Sequence, residues 1–384
     1  MSESVTVLVA TSKGAFLLES DAARQAWSVR GPMCDGWPTH HVQGDAETGA
    51  LWAASSSEFH GVGVWRSFDG GASWDMTLLN NGMMDDFLAN DPGFAAMVGH
   101  GPRPDAPFKG QINAIWALNH ADGVLYAGAK PAGLYASHDR GESWVKMQGL
   151  NDTPGSESWQ AGAAGLVLHS IVTDPTNPQR LWVGISAAGV FSSDDGGQTW
   201  EGRNRRSNIA THPHPITGEC GHDVGLCVHN MVRAPGDGDT LYQQNHHGVF
   251  RSRDGGRNWD EISEGLPSTF GFPIAVHPHD PQTLWVLPLN GDMQGRFPPE
   301  ARAAVWRSRD GGDTWQAMRQ GLPQRDCYFT VLRQAMATDK AGRAGVYFGT
   351  NTGSVFASND EGETWVEIAR HLPSISGIEV MHRV

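Results

Sequence analysis

Three histidines of this sequence, His40, His169 and His229, each begin a short apolar segment of the same kind. The clearest cases are "HSIVTDP" at 169–175 and "HNMVRAP" at 229–235. Neutral imidazoles that converge on a dry site bind Zn, Fe, Mn or Cu, and three protein ligands leave a position open for chemistry. We predict that His40, His169 and His229 hold a divalent transition metal, provided that the fold brings their segments together.

Three alternatives remain open for these histidines. They could bind an oxyanion or a sugar by hydrogen bonds, they could supply a general acid or base, or they could only satisfy backbone groups at the start of a strand. None of these three histidines stands in an H-x-H or H-E-x-x-H spacing that would favour the metal, because they come from separate segments.

Further polar residues occupy the connections that reach the same end of these segments. "SSSEFHG" carries Glu58 and His60, and "QQNHHG" carries His246 and His247. Carboxyl and imidazole groups are the usual general acids and bases, so these four are the predicted catalytic residues. The predicted substrate-binding residues offer hydrogen bonds or positive charge: Asn113, His41, Lys130, Asn230 and Arg296.

A repeated turn sets the frame that must position these residues. It occurs as "SFDGGASW", "SHDRGESW", "SDDGGQTW", "SRDGGRNW", "SRDGGDTW" and "SNDEGETW", with the pattern S-x-D-x-G-x-[ST]-W and one departure at Asn258. Asp and Ser can bond the backbone of such a turn, Gly can adopt positive φ, and Trp buries a large apolar surface in the next strand. Short strands precede each turn, which indicates propeller blades.

The chain ends supply one more blade than the six turns do. "VTVLVATSKGAFLLES" near the N-terminus resembles second and third strands, and "SISGIEVMHRV" at the C-terminus resembles a lone first strand. We therefore predict an all-β protein, a seven-bladed propeller of four-stranded antiparallel blades over 1–384, closed by pairing of its terminal strands. Long insertions are expected at about 79–110, 148–167 and 202–227.

These turns resemble the Asp-box, or BNR, repeat of sialidase-like propellers, and they cover the chain almost from end to end. In that superfamily the box lies on the outer rim, away from the substrate, so the resemblance implies a fold and leaves the activity open. Its members include sialidases, xyloglucan-degrading glycosidases, sortilin-type receptors and a photosystem assembly factor. Sialidase activity is not expected, because the F-R-I-P motif of that group is absent.

The repeat also sets a register for the first strand of each blade, which lines the central channel of a propeller. The predicted first positions are His40, Asn113, His169, His229, Phe272, Phe329 and Ser376. This places the three histidines at one level of the channel. The leading hypothesis is therefore an enzyme that acts on a small polar or carbohydrate-like molecule at a histidine-lined channel mouth.

Two other functions stay open. A glycoside hydrolase needs two carboxyl groups roughly 5 to 9 Å apart, and the candidates in long connections are Asp85, Asp86, Glu157, Asp223, Asp292 and Glu300. A non-catalytic propeller would bind a ligand or a protein partner instead. Cys220 and Cys227 lie near His222 and Asp223, which permits a small metal site of unfamiliar spacing.

Charge and composition exclude other classes of partner. The net charge is −14 and no basic cluster occurs, so neither nucleic acid nor a membrane surface is an expected partner. The N-terminus resembles a strand and lacks the basic and apolar regions of a signal peptide. We expect a cytoplasmic protein that is monomeric, because a closed propeller leaves no sheet edge exposed.

Overall fold

A computed structural model describes residues 4–207, 226–236 and 238–383. Its strands are organised as separate four-stranded antiparallel sheets, seven in number within these residues. This confirms the predicted seven-bladed propeller.

The strands of the described residues are numbered here in chain order. They are β1 (Ser4–Thr11), β2 (Gly14–Asp21), β3 (Ser28–Met33), β4 (Thr39–Gly44), β5 (Leu51–Ser57), β6 (Gly61–Ser67), β7 (Asp75–Asn81), β8 (Ala114–Ala121), β9 (Val124–Lys130), β10 (Leu134–Ser137), β11 (Val145–Lys146), β12 (Val167–Thr173), β13 (Leu181–Ser186), β14 (Gly189–Ser193), β15 (Glu201–Gly202), β16 (Val228–Arg233), β17 (Leu241–Asn245), β18 (Gly248–Ser252), β19 (Asp260–Glu261), β20 (Gly271–Val276), β21 (Leu284–Pro288), β22 (Val305–Ser308), β23 (Gln316–Met318), β24 (Met336–Thr338), β25 (Val346–Gly349), β26 (Val355–Ser358), β27 (Val366–Ala369) and β28 (Ile375–Arg383). Each successive group of four from β4 to β27 forms one of blades 1 to 6.

Blade 7 joins the two ends of the chain. Its strand order is β28, β1, β2, β3, and β1 pairs with β28 antiparallel, with Val9 opposite Ile378. The C-terminal strand thus supplies the innermost strand of a blade that the N-terminus otherwise builds, as the sequence predicts. This pairing places β1 between β28 and β2 and closes the ring of blades.

Helical structure is confined to the connections. The helices of the described residues are α1 (Met83–Asn90) and α2 (Pro92–Val98), with short 3-10 turns at Cys34–Gly36, Gln148–Leu150, Ser156–Ser158, Asp292–Gln294 and Pro299–Ala301. Both α-helices lie in the insertion predicted at 79–110, whereas most of the insertion at 202–227 falls outside the described residues. No helix in the part of the chain that the structure describes is long and apolar enough to cross a membrane.

The repeated turn is held together by its own aspartate. In blade 3, Asp195 accepts hydrogen bonds from the Ser193 hydroxyl (2.8 Å) and from the Thr199 backbone N–H (2.9 Å), while the Trp200 indole donates to Gly197 O (3.0 Å). Asp69, Asp139, Asp254, Asp310 and Asp360 receive equivalent bonds in their own turns. These aspartates therefore stabilise the scaffold.

A β-bulge interrupts the first strand of several blades at an equivalent point. The residue that the pairing skips is His40 in β4, Trp116 in β8, His169 in β12, His229 in β16 and Ser376 in β28. A bulge leaves one residue out of the ladder and redirects its side chain, which is why bulges are frequent next to functional sites. The predicted register of His40, His169, His229 and Ser376 is confirmed.

The register is wrong in two blades. Asn113 is exposed and precedes β8, and Trp116 occupies the position that corresponds to the histidines. In blade 6 the first strand is β24, beginning at Met336, so Phe329 lies before it. The run around Phe329 is apolar because Phe329 and Val331 pack into the core, not because they pair in a sheet.

Candidate functional site

Two cavities lie along the propeller axis. One, of about 310 Å³, runs between the first strands and is lined by His41, His169, Asn230, Gln334 and Glu379 among others. The second, of about 200 Å³, lies where the connections of blades 3 to 6 converge. We call the first the channel cavity and the second the mouth pocket.

The mouth pocket collects most of the reactive side chains of the channel end. Its functional lining consists of Cys227, His229, His246, Asp292, Arg296 and Arg333, beside the aromatic ring of Phe272 and the short backbone segment 162–164. They come from strand ends and connections of three different blades, so only the closed ring brings them all together. The pocket combines a thiol, two imidazoles, one carboxylate and two guanidinium groups.

His229 lies at the bulge of β16 and is 2 % exposed. Its Nδ1 is 2.6 Å from the carbonyl oxygen of Gly271. A carbonyl only accepts, so Nδ1 carries the proton and Nε2 has a free lone pair. Burial lowers the pKa of His229 well below its usual value, which keeps the ring neutral.

His246 and Arg296 flank the carboxylate of Asp292. Asp292 Oδ1 accepts a hydrogen bond from Arg296 Nε at 2.6 Å, and its Oδ2 lies 3.6 Å from His246 Nε2. The His246 and His229 rings are 5.4 Å apart in an edge-to-face arrangement. Burial lowers the pKa of His246, and the nearby Asp292 opposes this effect.

Arg333 closes the inner side of the mouth pocket. Its guanidinium lies 4.9 Å above the ring of Phe272, and the Arg296 guanidinium approaches the same ring at 5.7 Å. Burial lowers the pKa of Arg333, and its Nε has no hydrogen-bond partner among the described residues. A buried cation with an unused donor is suited to hold an anionic or hydroxyl oxygen of a ligand.

Polar contacts across the channel separate the two cavities. The Gln334 amide donates to the backbone carbonyl of His169, and the Asn230 amide donates to the carbonyl of Arg333 at 2.7 Å. Below this level, burial raises the pKa of Glu379 to about 7 and lowers that of His169 to about 3. The Nε2 of His169 is buried and has no partner within the described residues.

The structure does not bring the predicted metal ligands His40, His169 and His229 together. Within the residues described, the one set of three His, Cys, Asp or Glu side chains with mutually close ligand atoms is Cys227, His229 and His246. His40 instead stacks on Trp116, with ring centroids 5.3 Å apart. His229 lines the mouth pocket, His169 lines the channel cavity, and His40 lines neither of them.

The predicted catalytic residues divide into two groups. His246 lines the mouth pocket. His247 contacts the His246 ring, with ring centroids 4.8 Å apart, but it does not line the pocket. Glu58 is exposed in blade 1 and His60 stacks on Trp37 at 4.9 Å, so neither reaches the pocket.

The predicted substrate-binding residues are also scattered. Arg296 lines the mouth pocket, and Asn230 lies directly below it. His41 faces the channel cavity, where its Nδ1 accepts the Leu118 backbone N–H at 3.0 Å. Asn113 and Lys130 lie outside both cavities.

Six carboxylates are candidates for glycoside hydrolysis. Among those that the structure describes, Asp292 alone lines the mouth pocket. Asp85 is engaged by Arg103 at 2.7 Å, and these hydrogen bonds outweigh burial and lower its pKa to about 2. Asp86, Glu157 and Glu300 are not part of the pocket lining. Asp223, Cys220 and His222 lie outside the described residues.

Sequence reasoning grouped Cys227 with Cys220, His222 and Asp223 and not with His229 and His246, and it missed Arg333. Cys227 precedes β16 by one residue, so its proximity to His229 was a usable signal. Arg333 lies in the irregular segment before β24. It was not identified because the sequence placed the first strand of blade 6 at Phe329.

Comparison with known proteins finds similarity to a xyloglucanase in sequence and to a GH74 enzyme in structure. The chain is 24 % identical over 252 residues to an oligoxyloglucan-reducing end-specific xyloglucanase of Emericella nidulans, which covers 56 % of this chain and 29 % of that protein. The crystal structure of a Niastella koreensis GH74 enzyme superimposes with a TM-score of 0.60 at 15 % identity, over 94 % of this chain and 51 % of the other. No family model matches the sequence.

A third match shows that the fold serves other purposes. The structure of YCF48 bound to D1 peptide covers 91 % of this chain and 95 % of its own, with a TM-score of 0.53 and 12 % identity. The chain thus shares its fold with a GH74 enzyme and with a protein solved with a bound peptide, and it spans less than a third of the length of the Emericella nidulans relative. The sialidase-like name stays a prediction.

Proposed function

We propose that this propeller is a glycoside hydrolase that binds a sugar ring of its substrate in the mouth pocket. The observation that carries this proposal is the similarity to a xyloglucanase over 56 % of the chain. The mouth pocket is where the described residues concentrate the groups that recognise a polyhydroxylated molecule.

Phe272, Arg296 and Arg333 supply the recognition surface. The ring of Phe272 forms an apolar wall, and the two guanidinium groups above it offer several donors in fixed planes. A pyranose presents one face of C–H groups and a rim of hydroxyls, so it fits an aromatic wall beside planar donors. The Arg333 Nε, which has no partner among the described atoms, is available to such a hydroxyl.

Asp292 is the carboxylate that the pocket offers for the chemistry. Glycoside hydrolases of both stereochemical classes use two carboxyl groups, and no second Asp or Glu of residues 4–207, 226–236 and 238–383 lines this pocket. The Arg296 hydrogen bond at 2.6 Å fixes the position of the Asp292 carboxylate. We assign Asp292 the role of the anionic member of the pair, as nucleophile or general base.

An aromatic surface on the same face offers further sugar-binding positions. Phe59, in the connection after β5, and Phe87, in α1, are exposed and lie 6.5 Å apart by ring centroids. Trp37 and His60 stack beside them. The connection after β5 and the connection that carries His246 occupy equivalent positions in blades 1 and 4, so both reach the channel mouth. A longer oligosaccharide would extend from the pocket over this face.

The test is hydrolysis of xyloglucan oligosaccharides, followed by chromatography of the products. We expect the wild-type protein to cleave them and Asp292→Asn to lose the activity. Glu300→Gln is the matched control, because Glu300 follows on the same connection, is exposed and does not line the pocket. Absence of cleavage by the wild type, or equal rates for wild type and Asp292→Asn, would overturn the proposal.

A further inference from the structure

Cys227, His229 and His246 form a cluster that the hydrolysis of a glycoside does not require. Their ligand atoms, a thiol sulfur and two imidazole nitrogens, all lie within 4.8 Å of one another. Two-carboxylate hydrolysis needs neither a thiol nor a pair of imidazoles. The cluster therefore calls for a separate explanation.

Hydrogen bonding already prepares His229 as a metal ligand. Its Nδ1–H donates to the Gly271 carbonyl at 2.6 Å, which leaves the Nε2 lone pair free. Metal-bound histidines almost always donate their other ring N–H to a backbone carbonyl or carboxylate in this way, because the bond fixes the ring and raises its basicity. His246 has a comparable neighbour, since Asp292 Oδ2 lies 3.6 Å from its Nε2.

Cys227 adds a soft ligand to the two imidazoles. It lies beside blade 3, bridged to Ser186, one residue before β16 begins. Thiolate and imidazole together favour Zn²⁺ and related ions over Mg²⁺ or Ca²⁺, which prefer oxygen. With Zn–S near 2.3 Å and Zn–N near 2.0 Å, tetrahedral ligand atoms are about 3.5 Å apart. Small side-chain rotations that bring the ligand atoms about 1 Å closer together suffice to reach this spacing.

We propose that Cys227, His229 and His246 bind one divalent transition-metal ion, Zn²⁺ in the first place. Three protein ligands leave a fourth position open, as in catalytic zinc sites. The charge beside this fourth position determines which ligand it takes. Arg333 repels a bare cation but attracts an anion, so the fourth ligand is an oxygen that carries negative charge, such as hydroxide or a carboxylate.

This metal site does not depend on the carbohydrate substrate. Its ligands are distinct from Asp292, Arg296 and Phe272, on which the proposed hydrolysis rests. Metal binding is measured in the absence of any sugar, so a failure of one proposal leaves the other intact.

The experiment measures the metal content of the full-length protein without a histidine tag. The protein is stripped with a chelator, incubated with ZnCl₂, dialysed and analysed for zinc by mass spectrometry. We expect one equivalent in the wild type and loss of stoichiometric binding in Cys227→Ser and in His246→Gln. With Co²⁺ in place of Zn²⁺, a thiolate-to-cobalt charge-transfer band is expected in the wild type and is expected to be absent in Cys227→Ser.

Two matched variants test whether the loss of a cysteine or a histidine outside the cluster also lowers the zinc content. Cys327→Ser removes a buried thiol in the connection between blades 5 and 6, and His279→Gln removes an exposed imidazole. Both are expected to retain one zinc. Circular dichroism shows which variants are folded, and because His246 is only half-buried its variant remains informative if another unfolds. Metal-free wild-type protein after this incubation, or full zinc content in folded Cys227→Ser and His246→Gln, would overturn the site.

Discussion

The side-chain amide of Asn230 donates a hydrogen bond of 2.7 Å to the backbone carbonyl of Arg333. The bond runs from blade 4 to blade 6 and skips the blade between them. It fixes the backbone from which Arg333 extends over Phe272 into the mouth pocket. Asn230, predicted from the sequence to touch substrate, is thus a positioning residue for a pocket arginine.

Replacement of Asn230 by alanine should therefore weaken substrate binding. Loss of the amide leaves a buried carbonyl unpaired, which costs roughly 1–3 kcal/mol of stability. We expect KM for a xyloglucan oligosaccharide to rise while kcat changes little. Asn119→Ala is the matched control, because the Asn119 amide donates to the Ile171 carbonyl at 3.1 Å and does not line the mouth pocket. Equal KM values for the two variants would contradict the positioning role.

The Asp195 carboxylate should contribute to stability and not to activity. Hydrogen bonds from Thr199 and Ser193 lower its pKa to about 2. The unfolded value is about 3.9, so the stabilisation is fully present above about pH 4 and is lost as the pH falls towards 2. Asp195→Ala should lower Tm at pH 7, measured by calorimetry, with kcat unchanged. Asp194→Ala, which removes an exposed neighbour, should leave Tm nearly unaltered.

His41 should make the propeller less stable in mild acid. Burial lowers its pKa to about 4, and its Nδ1 accepts the Leu118 N–H, so the folded state requires the neutral ring. The unfolded chain binds the proton near pH 6.5, so stability falls between pH 6.5 and about 4, by about 1.4 kcal/mol per unit of pKa difference. Urea denaturation at pH 7 and pH 5 measures this decrease. His41→Gln should reduce it, whereas the exposed His279→Gln should behave as the wild type.

His40 distinguishes the metal site of the structure from the one that the sequence predicts. His40 stacks on Trp116 and is not part of the Cys227, His229 and His246 cluster. His40→Gln should therefore keep its zinc content and lose some thermal stability. Loss of zinc from a folded His40→Gln protein would instead favour the predicted set of His40, His169 and His229.

The repeated turn explains how much of the fold could be predicted. Its serine and aspartate make the same local bonds in blades 1 to 6, so the sequence pattern maps directly onto these blades. The closure of the ring could also be predicted, because the N-terminal segment provides too few strands for a blade and β28 supplies the missing one. The site could be predicted only in part, because it depends on which way single side chains point at bulges.

His229 and Cys227 show why the members of the site were harder to predict than the blades. The register placed His229 at the channel mouth, but its partners were fixed by the ring of blades and not by spacing along the chain. Cys227 comes from the same strand end, His246 from a hairpin and Arg333 from an irregular segment. No periodic pattern connects these four positions. In blade 2 the bulge lies at Trp116 and not at the predicted Asn113, so the sequence assigned the wrong residue to this position.

A crystal structure of the Asp292→Asn protein with a bound xyloglucan oligosaccharide tests the central proposal most directly. We predict density for one sugar ring in the mouth pocket, packed on Phe272 and hydrogen-bonded to Arg296 or Arg333. An oligosaccharide bound elsewhere on the propeller, with this pocket filled only by water at saturating sugar, would contradict it.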